Sequence, residues 1–298
     1  MNLAPIILFV YNRPWHTCQT VETLRKNDLA GESDLYIYSD GSKNEQEKTK
    51  IEEVREYIRS IDGFKSIKII ERKENLGLAN SVISGVTEIV NMYGRVIVME
   101  DDVVSSKYFL DFMNNVLEFY KNDMRIFSVT GINYLNIPTT YNYDVYLSYR
   151  GSSWGWGTWK NRWEKADWAI SDYKEFIGNK EAQNIFNRAG EDVSDMLISQ
   201  MNGNIDSWGI RWLYTQFKND AFTLFPVHNL INNIGFDGTG THCGKGNYSN
   251  TEINDDIGKI ELVNNIELSD DIVREFKAYF KRGLTGKIKR FLKKVGLF

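Results

Sequence analysis

Three consecutive carboxylates, Glu100-Asp101-Asp102, close the apolar run Val96-Ile97-Val98-Met99. An unbroken run of β-branched and apolar residues reads as a strand covered on both faces. A carboxylate at the end of such a strand loses hydration, so it must take up a proton, pair with a cation or bind a metal. Three in a row make a hard divalent ion the most economical partner. Mg²⁺ or Mn²⁺ is usually held by one or two carboxylates and completed by phosphate and water. Strand alternation would point Glu100 and Asp102 the same way and Asp101 the opposite way. The bland alternative is that Asp102 or Ser105 caps a helix running from Lys107 to Tyr120.

The elements that must place these acids alternate strand and helix over residues 1–104. Pro5 to Val10 is an apolar strand, and Pro14 suits the first turn of a helix reaching Lys26. Leu35 to Tyr38 is a second strand, ending at Ser39-Asp40-Gly41. Ser42 with Glu45 forms a capping-box pattern opening a helix to about Ser60. Ile67 to Ile70 is a third strand, and Leu78, Val82, Val86, Ile89 and Val90 share one helical face before the Arg95 strand. Such alternation predicts an α/β fold with a mainly parallel sheet and right-handed crossovers, whose carboxyl edge is where ligands bind. Asn12 and Arg13 follow the first strand, Asp40 the second and the acidic triplet the fourth. Together they offer a cation for phosphate, an acceptor for a base or ribose, and a metal site, which describes a nucleotide pocket. Taken singly, Arg13 reads equally as a surface charge and Asp40 as a turn residue of Asp-Gly.

Beyond residue 104 the pattern is mixed. Strands are expected at Ile126 to Thr130, Val145 to Tyr149 and Phe222 to Phe225, and helices near Lys160 to Trp168, Glu181 to Gln200 and Ser207 to Lys218. Trp156, Trp159 and Trp163 recur at helical spacing and suit a buried helix face, whereas Trp154 beside Gly155 sits in a loop with its ring available for stacking on a sugar. A glycine-rich loop spans Gly235 to Gly244. With no proline-rich linker or repeat, the chain reads as one unit: a nucleotide half (1–104), a second half (105–265) and a basic tail (266–298). In the tail, Leu284, Ile288, Phe291, Leu292 and Val295 recur at helical spacing among lysines and arginines, the signature of an amphipathic helix at an anionic membrane surface. A solvated tail, or a helix docked on the protein itself, is the alternative.

Composition narrows the class. The chain has 298 residues and a net charge of −4, and the eight lysines and arginines of residues 276–298 leave −12 on the remainder. An acidic body argues against nucleic-acid binding. No run of about 18 apolar residues exists to span a bilayer. The N-terminus lacks a basic leader, and Cys18 and Cys243 offer neither a disulfide framework nor zinc spacing, so a cytoplasmic protein is expected, held at most peripherally at the inner face of the cell membrane. No dinucleotide fingerprint, P-loop or nucleophile elbow is present.

Several stretches resemble one family. Pro5-Ile6-Ile7-Leu8-Phe9-Val10-Tyr11-Asn12-Arg13-Pro14, Ser39-Asp40-Gly41-Ser42, Glu74-Asn75-Leu76-Gly77-Leu78-Ala79 and Val98-Met99-Glu100-Asp101-Asp102-Val103 resemble the donor half of GT-A-fold glycosyltransferases, the N-acetylglucosaminyltransferase I-like group and its bacterial family 2-type relatives. Trp154-Gly155-Trp156-Gly157, Asp206-Ser207-Trp208 and Gly238 to Gly244 resemble the acceptor half. The likeness covers roughly residues 4–245. It implies a Rossmann-like GT-A sheet and transfer of a hexose or N-acetylhexosamine from a UDP-sugar to a glycan or lipid-linked acceptor with inversion, as in bacterial surface polysaccharide synthesis. It further implies that Asp102 coordinates Mn²⁺ (or Mg²⁺), that Glu100 and Asp101 serve the ribose or base, that Arg13 approaches the diphosphate, that Asp40 reads the uracil, and that Asn75 belongs to the donor site. His242 would be directed at metal or phosphate, Trp154 at the acceptor, and Asp206 would be the general base. Asp206 could equally cap the helix that follows, with Glu191, Asp192 and Asp195 as fallback bases.

Two other activities fit parts of the pattern. A sugar-nucleotide pyrophosphorylase shares the nucleotide half, but needs a glycine-rich basic loop after the first strand, and Tyr11-Asn12-Arg13-Pro14 is not one. A non-catalytic glycan-binding protein could keep the fold; acids at every edge position argue against lost chemistry.

Overall fold

The computed structural model describes residues 2–238, 252–253, 255 and 260–281. His242 and the basic segment 284–298 lie outside these residues. The first third folds as β1 (Ile6–Val10), α1 (Pro14–Arg25), β2 (Asp34–Ser39), α2 (Lys48–Arg59), β3 (Ser66–Glu71), α3 (Leu78–Tyr93) and β4 (Arg95–Glu100). There follow β5 (Val103–Ser105), α4 (Phe109–Phe119), β6 (Ile126–Thr130), β7 (Val145–Ser148), β8 (Trp156–Trp159), α5 (Lys160–Trp163), α6 (Tyr173–Gly178), α7 (Lys180–Phe186), α8 (Val193–Met201), α9 (Trp208–Lys218), β9 (Phe222–Pro226), β10 (Ile231–Asn233) and α10 (Asp270–Tyr279).

Eight strands form one sheet in the order β3-β2-β1-β4-β8-β6-β9-β7. The pairs β3/β2, β2/β1, β1/β4 and β6/β9 are parallel, while β8 runs against β4 and β6, and β7 against β9. The sheet is therefore mixed and mainly parallel, with helices on both faces, as the alternation of elements predicts.

Side-chain alternation decides what covers each face. Ile6, Leu8 and Val10 of β1 and Ile97 and Met99 of β4 join the core that includes Leu24 of α1, Val54 of α2 and Val116 of α4. Ile7, Phe9, Val96 and Val98 point the other way, onto Val82, Val86 and Ile89 of α3 and Trp208 and Trp212 of α9. Strands buried on both faces leave only their ends for polar groups, so β1, β2 and β4 deliver Arg13, Asp40 and the acids to one edge. Helix α3 starts after Gly77, whose φ of +76° disfavours any residue with a Cβ.

Several local expectations are corrected. Trp156 and Trp159 lie on a strand, β8, not on a helix. Three residues apart on a strand they face opposite sides: Trp156 stacks on Trp208 at 4.8 Å between ring centroids, while Trp159 Nε1 donates to the Leu117 carbonyl at 2.9 Å. The helix expected over residues 181–200 is split into α7 and α8 at Gly190, where φ is +143°. The capping residue before α2 is Asn44 rather than Ser42: its side chain accepts from Glu47 N at 3.1 Å, opening a 3₁₀ turn over Glu45–Glu47 ahead of the helix. Neither Asp102 nor Ser105 caps α4, which begins at Phe109, and Ser105 belongs to β5.

A two-stranded antiparallel ribbon, β5 with β10, follows the acidic triplet and brings Gly235 against Asp102. The last described helix, α10, is capped by Ser269 and buries Ile272 and Phe276. Among the described residues no helix is long and apolar enough to cross a membrane.

Gly157 of β8 makes a close joint in the sheet, where a Cβ would stand 2.8 Å from the Val96 carbonyl oxygen and 3.1 Å from Met113 Cε. Because the nearest obstacle is backbone, Gly157→Ala is expected to destabilise the fold by about 1–3 kcal/mol. Urea denaturation checks this; a midpoint equal to that of the parent would show that β4 and β8 are not so closely paired.

Candidate functional site

A cavity of about 220 Å³ opens at the carboxyl ends of β1, β2 and β4, beside the start of α3. Its lining includes Asn12, Arg13, Asp40, Asn75, Glu100, Asp101, Asp102 and Asp206, so residues singled out at separate points of the sequence share one pocket. Trp154 lines a different cavity.

The charge pattern at its base is unbalanced. The Arg13 guanidinium sits 16% exposed between two carboxylates. Its Nη2 donates to Asp101 Oδ1 and lies 2.9 Å from Asp102 Oδ2. Burial works against the charge on Arg13, but Asp101 and Asp102 outweigh it and hold the guanidinium firmly protonated. The alternation expected along Glu100-Asp101-Asp102 does not hold. The strand ends at Glu100, and Asp101 and Asp102 form a turn, which lets both reach the same arginine. Thr20 Oγ1 donates to the Asp101 carbonyl at 2.8 Å and Asn233 Nδ2 lies 3.3 Å from Asp102 Oδ1, so the turn is tied from both sides.

Glu100 is left without a cation of its own. Burial first, then Asp102 and Asp101, push its carboxyl up to about 8, against a weaker opposing pull from Arg13. Burial likewise raises Asp101, with Arg13 opposing. Three acids against one guanidinium leave the cluster short of positive charge. The donor set, hard carboxylate oxygens in a pocket with room for phosphate, fits a divalent ion completed by phosphate oxygens. Among the described residues no group of three or more His, Cys, Asp or Glu is arranged to hold a metal by itself. The wall over Asp102 is equally specific: a Cβ on Gly235 would stand 2.1 Å from Asp102 Oδ2 and 3.0 Å from Arg13 Nη1. Only glycine leaves these atoms room.

Arg13 Nη1 is buried and has no hydrogen-bond partner among the described residues. A buried guanidinium N–H without a partner is costly, and an anionic ligand oxygen is the partner it lacks.

Asp40 is buried at 6% exposure and accepts from Leu76 N at 3.0 Å and Gly77 N at 3.2 Å. Asn75 bridges the same turn, donating to the Gly41 carbonyl at 2.7 Å while its Oδ1 accepts from Gly77 N at 3.1 Å. These two residues fix the entry to α3 as well as lining the pocket.

Asp206 does not cap α9. Ser207 does, accepting from Ile210 N at 3.3 Å. The Asp206 side chain is 57% exposed, with Arg211 3.8 Å away, and its Oδ2 stands 3.5 Å from where a Gly77 Cβ would be. Asp192 pairs with Arg150 at 2.7 Å, and neither it nor Glu191 or Asp195 lines this pocket.

Lys43, Tyr11 and Ser81 also line the pocket and were not singled out from the sequence. Lys43 follows the Ser39-Asp40-Gly41-Ser42 turn by one residue, and its ammonium lies 5.8 Å from the centre of the Tyr11 ring. A lysine just past that turn was the signal available.

No protein-family model and no curated protein matches the chain. Among solved structures it is similar to S. aureus TarS residues 1–349 (TM-score 0.42, 10% identity, covering 77% of this chain and 59% of that one). It is similar also to TarS 1–349 in complex with UDP-GlcNAc (TM-score 0.41, 11% identity, 77% and 57%). A third is the mannosyltransferase PcManGT from Pyrobaculum calidifontis in complex with GDP-Man and Mn²⁺ (TM-score 0.38, 10% identity, 54% and 46%). The chain spans less than two thirds of each. At that level of likeness, activity has to be read from this chain's own residues.

The raised Glu100 carboxyl has a direct consequence for the metal-free protein. An acid raised from 4.5 to about 8 on folding binds its proton more tightly in the native state, so its contribution declines as pH rises between those values. Glu100→Gln should match the parent in stability near pH 4 and exceed it by roughly 1–4 kcal/mol near pH 8 in EDTA. Denaturation at several pH values measures this, and a pH-independent difference would show that Glu100 ionises normally.

Proposed function

We propose that the chain is a glycosyltransferase that transfers a sugar from a nucleotide-sugar donor, UDP-linked, to a glycan or lipid-linked acceptor. The observation that carries this is the convergence of residues from separate points of the sequence on one cavity whose buried guanidinium has no partner for Nη1 among the described residues. That arrangement suits a diphosphate at the base and a nucleoside between β1, β2 and the start of α3, with residues 1–104 as the donor half, 105–265 the acceptor half and 266–298 the tail.

In this reading Arg13 gives Nη1 to a diphosphate oxygen while Asp101 holds the guanidinium in place from the other side. Asp40 and Asn75 set the Leu76–Gly77 turn against the uracil, and Glu100 serves the ribose. Asp102, with His242 as a further ligand, would hold Mn²⁺ or Mg²⁺, which when bound neutralises charge on the departing nucleoside diphosphate. Asp206 accepts the proton of the acceptor hydroxyl as that oxygen forms a bond to the anomeric carbon. The bond from this carbon to the phosphate oxygen breaks, and its electron pair leaves with UDP. A single displacement of this kind inverts the anomeric centre.

Release of UDP from a panel of UDP-sugars in Mn²⁺ tests the reading. The transferase gives UDP, a pyrophosphorylase would give UTP from pyrophosphate, and a glycan-binding protein would give neither. Asp206→Asn is expected to lower turnover about 10²–10⁴-fold with UDP affinity unchanged. Asp102→Ala should abolish both Mn²⁺-dependent UDP binding and turnover, and retained activity in that variant refutes the metal role.

The basic, helically spaced residues of 284–298 support peripheral attachment to an anionic leaflet, with a lipid-linked acceptor, as in bacterial surface polysaccharide synthesis. Each basic residue contributes about 1 kcal/mol near such a surface. Deleting residues 284–298 should release the protein from phosphatidylserine-containing vesicles while leaving donor binding intact; salt-sensitive binding that survives the deletion would assign attachment elsewhere.

A further inference from the structure

Helix α1 turns one polar stripe toward the acids. Arg13, His16, Thr20, Thr23 and Asn27 recur at intervals of three and four along the helix and its two ends, the spacing of a single helical face. All but one of them take partners between Asp101 and Leu110. Arg13 pairs with Asp101 and Asp102, Thr20 Oγ1 donates to the Asp101 carbonyl at 2.8 Å, and Thr23 Oγ1 accepts from Ser105 N at 3.1 Å. Asn27 donates to Ser105 Oγ at 3.0 Å and accepts from Leu110 N at 2.9 Å. His16 is directed elsewhere. Its side chain is 7% exposed, and Nε2 stands 3.2 Å from Oδ2 of Asp237, two residues beyond the glycine that covers Asp102. Nε2 has no aligned hydrogen-bond partner among the described residues, so that carboxylate is the acceptor at hand.

The segment that carries Asp237 leaves the β5–β10 ribbon at Asn233 and crosses the acid cluster. Ile234 N donates to the Asp102 carbonyl at 2.8 Å, Gly235 N donates to Asn233 Oδ1 at 2.7 Å, and Asn233 Nδ2 lies 3.3 Å from Asp102 Oδ1. Gly235 then passes so close that a Cβ there would meet both Asp102 and Arg13 Nη1. Phe236 meets the Trp154 ring edge-on, 5.5 Å between centroids, and Asp237 meets His16. The inner end of the segment is thus fixed to the acids themselves, and its outer end to α1 by a pair with one buried and one half-exposed member. Ion pairs in water contribute little, but taking the acceptor from a buried donor leaves that donor unsatisfied. His16 therefore bears on where Gly235 lies, although it does not itself line the cavity.

We propose that His16 is a positioning residue: by pairing with Asp237 it seats residues 234–237 on Asp102 and Arg13, and in that way shapes the pocket for a metal-bound diphosphate. The link to the diphosphate rests on the transferase reading given above; the seating of the segment does not. An imidazole suits the task because it gives one directed donor from a rigid ring, without a second permanent cation to compete with Arg13 for Asp101 and Asp102. Freed at its outer end, the segment pivots at Asn233, which takes Gly235 off Asp102 and admits water to Arg13 Nη1. The cluster then loses the dry wall against which a phosphate oxygen completes that nitrogen, and the attraction between them weakens in the higher dielectric.

Amide hydrogen exchange in the full-length protein, free of metal and substrate, reads the seating directly. His16→Leu and Asp237→Ala are each expected to raise exchange about tenfold at residues 234–237 while β1 and β4 stay as protected as in the parent. Asp237 is exposed, so its variant keeps the fold. His16→Gln, whose amide nitrogen replaces Nε2, should restore the parent's protection. Titration with UDP in Mn²⁺ then reads the pocket. His16→Leu and Asp237→Ala should each weaken UDP about fivefold, and the double variant should bind no more weakly than the worse single one, because both changes remove the same pair. The donor KM should rise by the same factor with kcat at saturating donor within about twofold of the parent. Exchange that is unchanged at 234–237, or raised equally throughout the protein, overturns the seating. Exchange raised locally with UDP bound as in the parent overturns the role in shaping the pocket. A parent that binds no UDP, in a protein whose exchange responds as described, removes the transferase reading and leaves the seating of the segment standing.

Discussion

Three acids and one guanidinium at the end of a buried strand set the terms for the rest of the structure. A carboxylate is costly to desolvate, and at β4 the chain places three in succession where the sheet gives way to a cavity. Arg13 can neutralise only part of that charge. Asp101 and Asp102 take the arginine, and Glu100 keeps its proton into the neutral range. The cluster is therefore held together, but it is not at rest electrostatically. It gains most from a partner that brings positive charge to the acids and negative charge to Arg13 at once. A metal-bound diphosphate has both signs in the required order, whereas a metal or a phosphate alone satisfies only one side.

The scaffold keeps the cluster in place by packing as well as by the hydrogen bonds of Thr20 and Asn233. β1 and β4 are apolar on both faces, so neither can slide or turn over without exposing Ile6 and Leu8 or Ile7 and Phe9. Arg13 is presented one residue before α1, which Pro14 starts at its first turn. From the other side, Asn233 and Gly235 follow a short ribbon that pairs with the residues just after the acids. That ribbon explains why the second half of the chain contributes to this pocket: without it Asp102 would lose both the Asn233 contact and its close glycine wall.

How far the sequence alone reaches depends on the kind of interaction. The strand-helix alternation of residues 1–104, and the edge at which Arg13, Asp40 and the acids meet, follow from periodicity and parallel topology, which are local patterns with one global solution. Asn75 was indicated only by the resemblance, yet its side chain closes the turn that joins Gly41 to Gly77. What could not be read was where periodicity is ambiguous or geometry is made by remote segments. Trp156 and Trp159, three apart, fit a helix as well as the two faces of a strand, and only the pairing of β8 with β4 and β6 decides. The capture of both aspartates by one arginine arises because the chain turns at Asp101, a break that three like residues do not announce. Whether Asp206 caps α9 was undecidable from sequence, because Ser207 is an equally good cap one residue later.

Ser207 has a further consequence. With the cap supplied by the serine, Asp206 is relieved of a structural duty and stands between two cavities that differ in chemistry. The first cavity is ionic, built from acids and an arginine. The neighbouring cavity is lined by Trp154, Trp208 and Phe280, with Arg150 and the buried Gln216 among its polar groups. Asp206 lines the first cavity and Ser207, which takes the cap, lines the second, so the carboxylate stands where the chain passes from one to the other.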